Sequence, residues 1–371
     1  MKFFPAAEAK RRFGELLKAA DRMTTSITDT SGKAGRAMRP VAIWLFLMCA
    51  LIALMVVVGG ATRLTDSGLS ITEWRPVTGA IPPLTGADWA AEFEKYRRIP
   101  EYEIVNRGMS LEEFQEIYWW EWGHRLLGRL IGAAFLLPLI YFAATGRVGR
   151  SLGLKLAGLF VLGGMQGGLG WYMVKSGLAD RIDVSQYRLA AHLGLAVLLF
   201  TLMFWLALSM VRPRNAPGQN QRPPLFWGAL ALAGGVYAQM LLGAFVAGIR
   251  AGRTYNTWPL IGGKFFPDAY FGANPRFADL FEQVAAVQFN HRVGAYLVAA
   301  GALWFALAAR RTAAESAARL VLAAVLFQIA LGIWTLLAAT PLALGLAHQA
   351  GALIVLATAL NAAHLARDRR R

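Results

Sequence analysis

Trp119-Trp120-Glu121-Trp122-Gly123-His124-Arg125-Leu126-Leu127-Gly128-Arg129 opens a long apolar run that ends near Ala144. Three tryptophans mark the boundary between water and membrane, where amphipathic aromatic rings collect. Just past that boundary stand a carboxylate and an imidazole three residues apart, so Glu121 and His124 share one face of a helix. An ionisable pair at membrane depth is costly and marks a functional site by default. The chain has five histidines, and four of them, His124, His192, His291 and His348, each stand near the start of an apolar segment.

The composition agrees with a lipid solvent. The 371 residues are 56% apolar and 16% charged, and the mean hydropathy is +0.43. Runs of about 20 apolar residues, the length that crosses a bilayer core, occur at about 41–62, 118–143, 153–174, 189–211, 225–249, 286–309, 319–340 and 344–365. The expected fold is therefore an all-α polytopic membrane protein with eight transmembrane helices. The net charge of +16 does not indicate nucleic acid, because the basic residues punctuate the ends of apolar runs. Segment 1–40, the connectors holding Arg147, Arg150 and Lys155, then Arg212, Arg214 and Arg222, then Arg310, Arg311 and Arg319, and the tail 366–371 all carry excess Lys and Arg. The positive-inside rule puts these segments, and hence both termini, in the cytoplasm. The loop 64–117, with ten acidic against five basic residues, is expected outside. Phe13–Met23 reads as a short amphipathic surface helix, and the single cysteine, Cys49, excludes an intrachain disulfide.

Marker residues repeat. Gly123-His124-Arg125 in the second span answers Asn290-His291-Arg292 in the sixth. Gln166 with Leu169-Gly170-Trp171 answers Gln328 with Leu331-Gly332-Ile333-Trp334, and Ala191-His192 answers Ala347-His348. Two tandem, pseudo-symmetric four-helix bundles follow, 41–211 and 225–365, joined by a cytoplasmic linker 212–224. In that topology spans two, four, six and eight all run inward, and all four histidines lie at one depth near the external face.

One membrane histidine alone is an ordinary helix contact. Four at matched depth, two per half, suit metal chemistry. A bare ion would want further close ligands, and these spans offer neither cysteine nor a second histidine one turn away, so a macrocycle with two axial histidines fits best. Gly123, Gly128, Gly132, Gly194, Gly294, Gly345 and Gly351 stand near the histidines and would let a flat ring approach, although small residues also mediate plain helix packing. Arg63, Arg125, Arg250 and Arg292 near the external ends, and Arg129 one turn deeper, have two readings: partners for haem propionates, or side chains reaching toward lipid headgroups. The halves differ at one position. Glu121 precedes His124 by three residues, whereas Gln288 precedes His291 by three. Acid–base work or stabilisation of developing charge is open to the first half alone, unless Glu121 only pairs with Arg125.

Val58-Gly59-Gly60-Ala61-Thr62-Arg63-Leu64-Thr65, Ser67-Gly68-Leu69-Ser70, Glu121-x-x-His124-Arg125, Gln166-x-x-Leu169-Gly170, Ala191-His192, Asn290-His291-Arg292 and Ala347-His348-Gln349 resemble the signatures of the haem A synthase family. The likeness covers nearly the whole chain from about Trp44 to Leu365. It implies a bacterial inner-membrane enzyme that oxidises the C8 methyl of haem O to a formyl group through a hydroxylated intermediate. It further implies a permanent haem b (iron) between His291 and His348, substrate haem O between His124 and His192, and Glu121 as the catalytic carboxylate. Haem O synthase and cytochrome oxidase assembly factors are the implied partners, besides the lipid bilayer. Some family members carry a cysteine pair in the loop after span one; none stands in 64–117 here, which excludes a cysteine route for electrons. The residues also admit two other classes: a dihaem cytochrome b that passes electrons without changing its haems, and a transporter, which would show broken helices near the midplane.

Overall fold

A computed structural model describes residues 38–178, 182–212 and 223–366. The Phe13–Met23 segment, most of the 212–224 linker and nearly all of the basic tail lie outside the described residues. Among those residues, eight helices are long and apolar enough to cross a membrane. These are α1 (Met38–Leu64), α4 (Leu111–Ala144), α5 (Arg150–Lys175), α6 (Gln186–Val211), α7 (Pro223–Gly248), α9 (Val284–Ala308), α10 (Glu315–Leu337) and α11 (Leu342–Ala366). Shorter helices α2 (Gly86–Tyr96) and α3 (Pro100–Ile104) precede α4, and α8 (Asp279–Glu282) precedes α9.

The spans agree with the apolar runs, with one informative difference. The second helix begins at Leu111, seven residues ahead of the expected boundary. There Ser110 accepts from the backbone of Glu113 while the Glu113 carboxylate accepts from the Ser110 backbone, a reciprocal cap that starts a helix without apolar sequence. Hydropathy finds the lipid-embedded part of a helix, and polar capping extends it into water. All eight spans are continuous, and α4 runs through Pro138 unbroken, so the broken helices expected of a transporter are absent from the described residues.

Apolar residues of α1, α6, α7, α9, α10 and α11 fill one long core, including Leu45, Met48, Val197, Phe200, Val236, Phe305, Val321 and Leu356. The seam between the two halves of the chain is drawn there. Gln349 of α11 donates to the Val56 carbonyl of α1 (3.0 Å), Tyr237 of α7 donates to the Gly194 carbonyl of α6 (3.0 Å), and a Cβ at Gly60 would collide with the Gln349 side chain. Near the C-terminal end of α11 the fifth histidine, His364, is buried against Trp205 and the Ser209 hydroxyl, a packing role. A second, smaller core of Leu69, Ile71, Tyr96, Ile99, Phe114, Tyr118 and Val184 caps the histidine end of the first half. The acidic loop is thus folded over the helices below it.

Candidate functional site

Each of the four histidines packs its ring on a glycine of the helix before it. An added Cβ would stand 3.2 Å from His124 at Gly59, 2.9 Å from His192 at Gly170, 3.2 Å from His291 at Gly243 and 2.6 Å from His348 at Gly332. Any side chain there would push the ring aside. These four glycines on neighbouring helices are the ones that make room for the imidazoles. Of the glycines expected to let a flat ring approach, Gly128, Gly132 and Gly345 line the cavity between the helices, Gly123 has nothing within 4 Å of an added Cβ, and Gly194 meets Leu241 and Tyr237.

All four rings line one continuous cavity of about 1070 Å³, which runs across both halves and also touches Glu121. The His291 and His348 rings face each other with centroids 6.5 Å apart and planes at 77°. Gln239 and Gln328 lie against their Nδ1 atoms, which leaves Nε2 as the free ring nitrogen of each. Among the described residues no three His, Cys, Asp or Glu side chains converge as a metal site, so each pair supplies two donors and no more.

Glu121 is 3% exposed, and both its oxygens are engaged. Oε2 accepts from the Ser70 hydroxyl and the Ile71 backbone, each at 2.8 Å. Oε1 accepts from Arg125 Nε at 3.1 Å and Nη2 at 2.6 Å. Arg125 also donates to the carbonyls of Ile71 and Glu73. The pairing weighed as the alternative role of Glu121 is therefore present, and together the two side chains pin loop 70–73 over the site. The second half repeats the device with neutral chemistry: Arg292 donates to Gln288 Oε1 at 2.8 Å and to the carbonyls of Tyr255, Pro259 and Leu260, while Gln288 donates to Ala251.

The other arginines are similarly committed. Arg63 bonds Asp66, Asp183 and the Ala247 and Gly248 carbonyls, and Arg250 bonds Asp66 and Asp183. Arg129 donates Nε to Pro76 and Nη2 to Arg75, with Nη1 buried and unpartnered. Of the five, Arg129 and Arg250, whose Nε is also buried and unpartnered, keep a donor without a protein acceptor. Burial of an arginine needs carbonyls as well as anions, and the loops supply them. Sequence spacing cannot show a loop carbonyl folding back 52 residues, which is why those partners were not anticipated.

Glu101 was also not anticipated. It is 4% exposed, accepts from the Tyr96 hydroxyl at 3.2 Å and lines the cavity. Burial pushes its carboxyl up to about 8.

The family model for cytochrome oxidase assembly proteins matches residues 42–360. The chain is 53% identical over 324 residues to the haem A synthase of Parvibaculum lavamentivorans, an alignment covering 87% of this chain and 93% of that protein. It is 49% identical over 346 residues to the haem A synthase of Nitrosospira multiformis, covering 92% and 97%, and 50% identical over 326 residues to that of Caulobacter vibrioides, covering 86% and 94%. A match of that extent, over helices that bring the four histidines and Glu121 to one cavity, means that the chain belongs to the haem A synthase family.

Proposed function

We propose that this protein is a haem A synthase, oxidising the ring methyl of haem O to the formyl group of haem A in a bacterial inner membrane, with both termini cytoplasmic. The observation that carries the reading is the His291–His348 pair. The two rings stand 6.5 Å apart by their centroids, which leaves room for a metal atom that would lie about 2.0 Å from an imidazole nitrogen on each side. Two donors facing across a helical bundle suit an iron whose remaining ligands come from a macrocycle. His291 and His348 would hold the resident haem b, which would supply one-electron redox chemistry. His124 and His192 would hold the substrate.

Glu121 acts at the substrate side. It stands one helical turn before His124, and its bonds to Ser70, Ile71 and Arg125 leave it a single orientation at the cavity wall. A carboxylate there accepts a proton released at the reacting methyl or stabilises the electron deficiency that grows on it. Arg129 Nη1, buried and unpartnered, is the donor best placed for an acidic group of the substrate. Haem O synthase as the source of the substrate and cytochrome oxidase assembly factors as recipients complete the reading.

The test is chemical. Membranes holding this protein beside a haem O source are extracted and their haems separated by chromatography and identified by mass. Haem A should accumulate at the expense of haem O. Unchanged haem O would instead mark the protein as a dihaem electron carrier.

A further inference from the structure

Gln166, Gln239 and Gln328 each stand four residues before a glycine on which a histidine packs, namely Gly170, Gly243 and Gly332. Glutamine and glycine therefore share one helix face. Each amide nitrogen donates to the backbone carbonyl of its histidine, at 2.9 Å for His192, 2.8 Å for His291 and 2.6 Å for His348. The same nitrogen lies against a ring nitrogen, 3.0 Å from His291 Nδ1 and 3.1 Å from His348 Nδ1, but 3.4 Å from His192 Nε2. All three Oε1 atoms are buried without a partner.

The fourth histidine lacks this arrangement. Four residues before Gly59 stands Met55, and among the described residues no glutamine reaches His124. The residue three past each histidine sorts the sites in the same way. Gly294 and Gly351 follow His291 and His348, and a Cβ at either would collide with Oε1 of Gln239 or Gln328. Leu127 and Leu195 stand at the corresponding places after His124 and His192. Space for a close amide exists twice in the second half and at neither position in the first.

We propose that Gln239 and Gln328 are positioning residues that make His291 and His348 a permanent haem holder, whereas the first half, with a long contact at His192 and none at His124, holds its haem exchangeably. This rests on the haem reading above. The torsion that turns an imidazole is soft, so a ring held along one edge by a neighbouring helix keeps an orientation that a free ring does not. Partners behind a metal-binding histidine typically carry about 10–100-fold in affinity. With the ring proton on Nδ1, a half-turn of the amide brings the unpartnered Oε1 to accept it, in exchange for the donation to the histidine carbonyl.

The experiment uses the full chain purified in detergent with its co-purifying haem, and follows transfer of that haem to excess apomyoglobin, the reaction of the reduced protein with carbon monoxide, and the midpoint potential. Wild type should keep one haem and ignore carbon monoxide. Gln239→Leu and Gln328→Leu should release it about 10–100-fold faster, react with carbon monoxide and shift in potential. Gln328→Glu, which keeps length and acceptor, should restore retention while lowering the potential. Gly351→Ala displaces the Gln328 amide without touching a ligand, and reads the same effect if the leucine variants do not fold. Wild-type retention, inertness and potential in Gln328→Leu, or in Gly351→Ala where that variant alone folds, would overturn the assignment of the glutamines. A wild-type protein purified without any haem would overturn the haem reading itself.

Discussion

A carboxylate that already accepts four hydrogen bonds can serve the chemistry, the loop above it, or both, and substitutions at Glu121 and Ser70 separate the two. Glu121→Gln removes the charge and turns an amide N–H toward donors it cannot bond, whereas Ser70→Ala removes one donor and leaves the carboxylate. If Glu121 works as a base, Glu121→Gln lowers haem A formation by about 10²–10⁴-fold with the resident haem retained. Loss of one hydrogen bond is worth about 0.5–1.5 kcal/mol, so Ser70→Ala stays within about tenfold. Equal losses in the haem A to haem O ratio for the two variants would leave Glu121 an anchor for loop 70–73. Met55→Gln makes the converse test of the glutamine pattern. It places an amide four residues before Gly59, where the three other sites have one, and should slow release of haem from the first half, so that substrate or product co-purifies while turnover falls. Because Leu127 stands where Gly294 and Gly351 leave space for an amide in the second half, Met55→Gln with Leu127→Gly should show the effect more strongly than Met55→Gln alone.

At the scale of elements, the cap over the first half folds a protonatable carboxyl into an apolar cluster. Glu101 sits beneath Tyr96, Ile99 and Phe114 with one hydrogen bond, from Tyr96, and its carboxyl is pushed up to about 8 from the 4.5 of an unperturbed glutamate. Between those two values the folded cap binds a proton that the unfolded segment has released, so its stability falls as pH rises through that window and levels off above about 8. Glu101→Gln removes the titration. It should stabilise the cap by on the order of a few kcal/mol at pH 8 to 9 and by nothing near pH 4.5, read as amide exchange of the α2–α3 segment. A Glu101→Gln variant whose protection against exchange falls off with pH as that of wild type does would refute the burial of Glu101 as the cause. The cap also marks what a linear reading can reach. The eight spans and four histidines were legible because hydropathy and helical spacing are local properties, and Gln166 and Gln328 already stood out as markers of the repeat. Gln239 did not, although it shares their four-residue spacing to a glycine, because its role is defined only by a ring on the next helix. The carbonyl partners of Arg125, Arg129 and Arg292 and the burial of Glu101 depend in the same way on where a loop returns, and no periodicity encodes that.

Across the whole molecule the two halves meet over one cavity, and four charges tie them where α1 and α7 end. Arg63, at the end of α1, lies 3.1 Å from Asp66 and 3.3 Å from Asp183; Arg250, just past α7, lies 3.0 Å from Asp66 and 2.9 Å from Asp183. Each arginine touches both aspartates, so the charges alternate around a ring drawn from both halves. Arg250 also holds a left-handed backbone (φ 55°), a conformation that costs a non-glycine residue about 1–2 kcal/mol and that turns its side chain into the ring. The four side chains are 13–34% exposed, between the exposed pairs that contribute about 0–1 kcal/mol and the buried pairs whose breakage costs about 3–5 kcal/mol. Asp66→Asn with Asp183→Asn leaves two guanidinium groups facing each other, and should cost about 1–3 kcal/mol on that scale. The resident haem should stay, because His291 and His348 are both held within the second half. Haem A formation should fall further than stability does, because His124, His192, His291 and His348 line one cavity whose geometry depends on how the halves meet. The readouts are the thermal midpoint of the purified protein, its haem content and the haem A to haem O ratio in membranes. A double variant that melts and turns over like wild type would mean that the apolar seam of α1, α6, α7 and α11 sets the approach of the halves without help from the ring of charges.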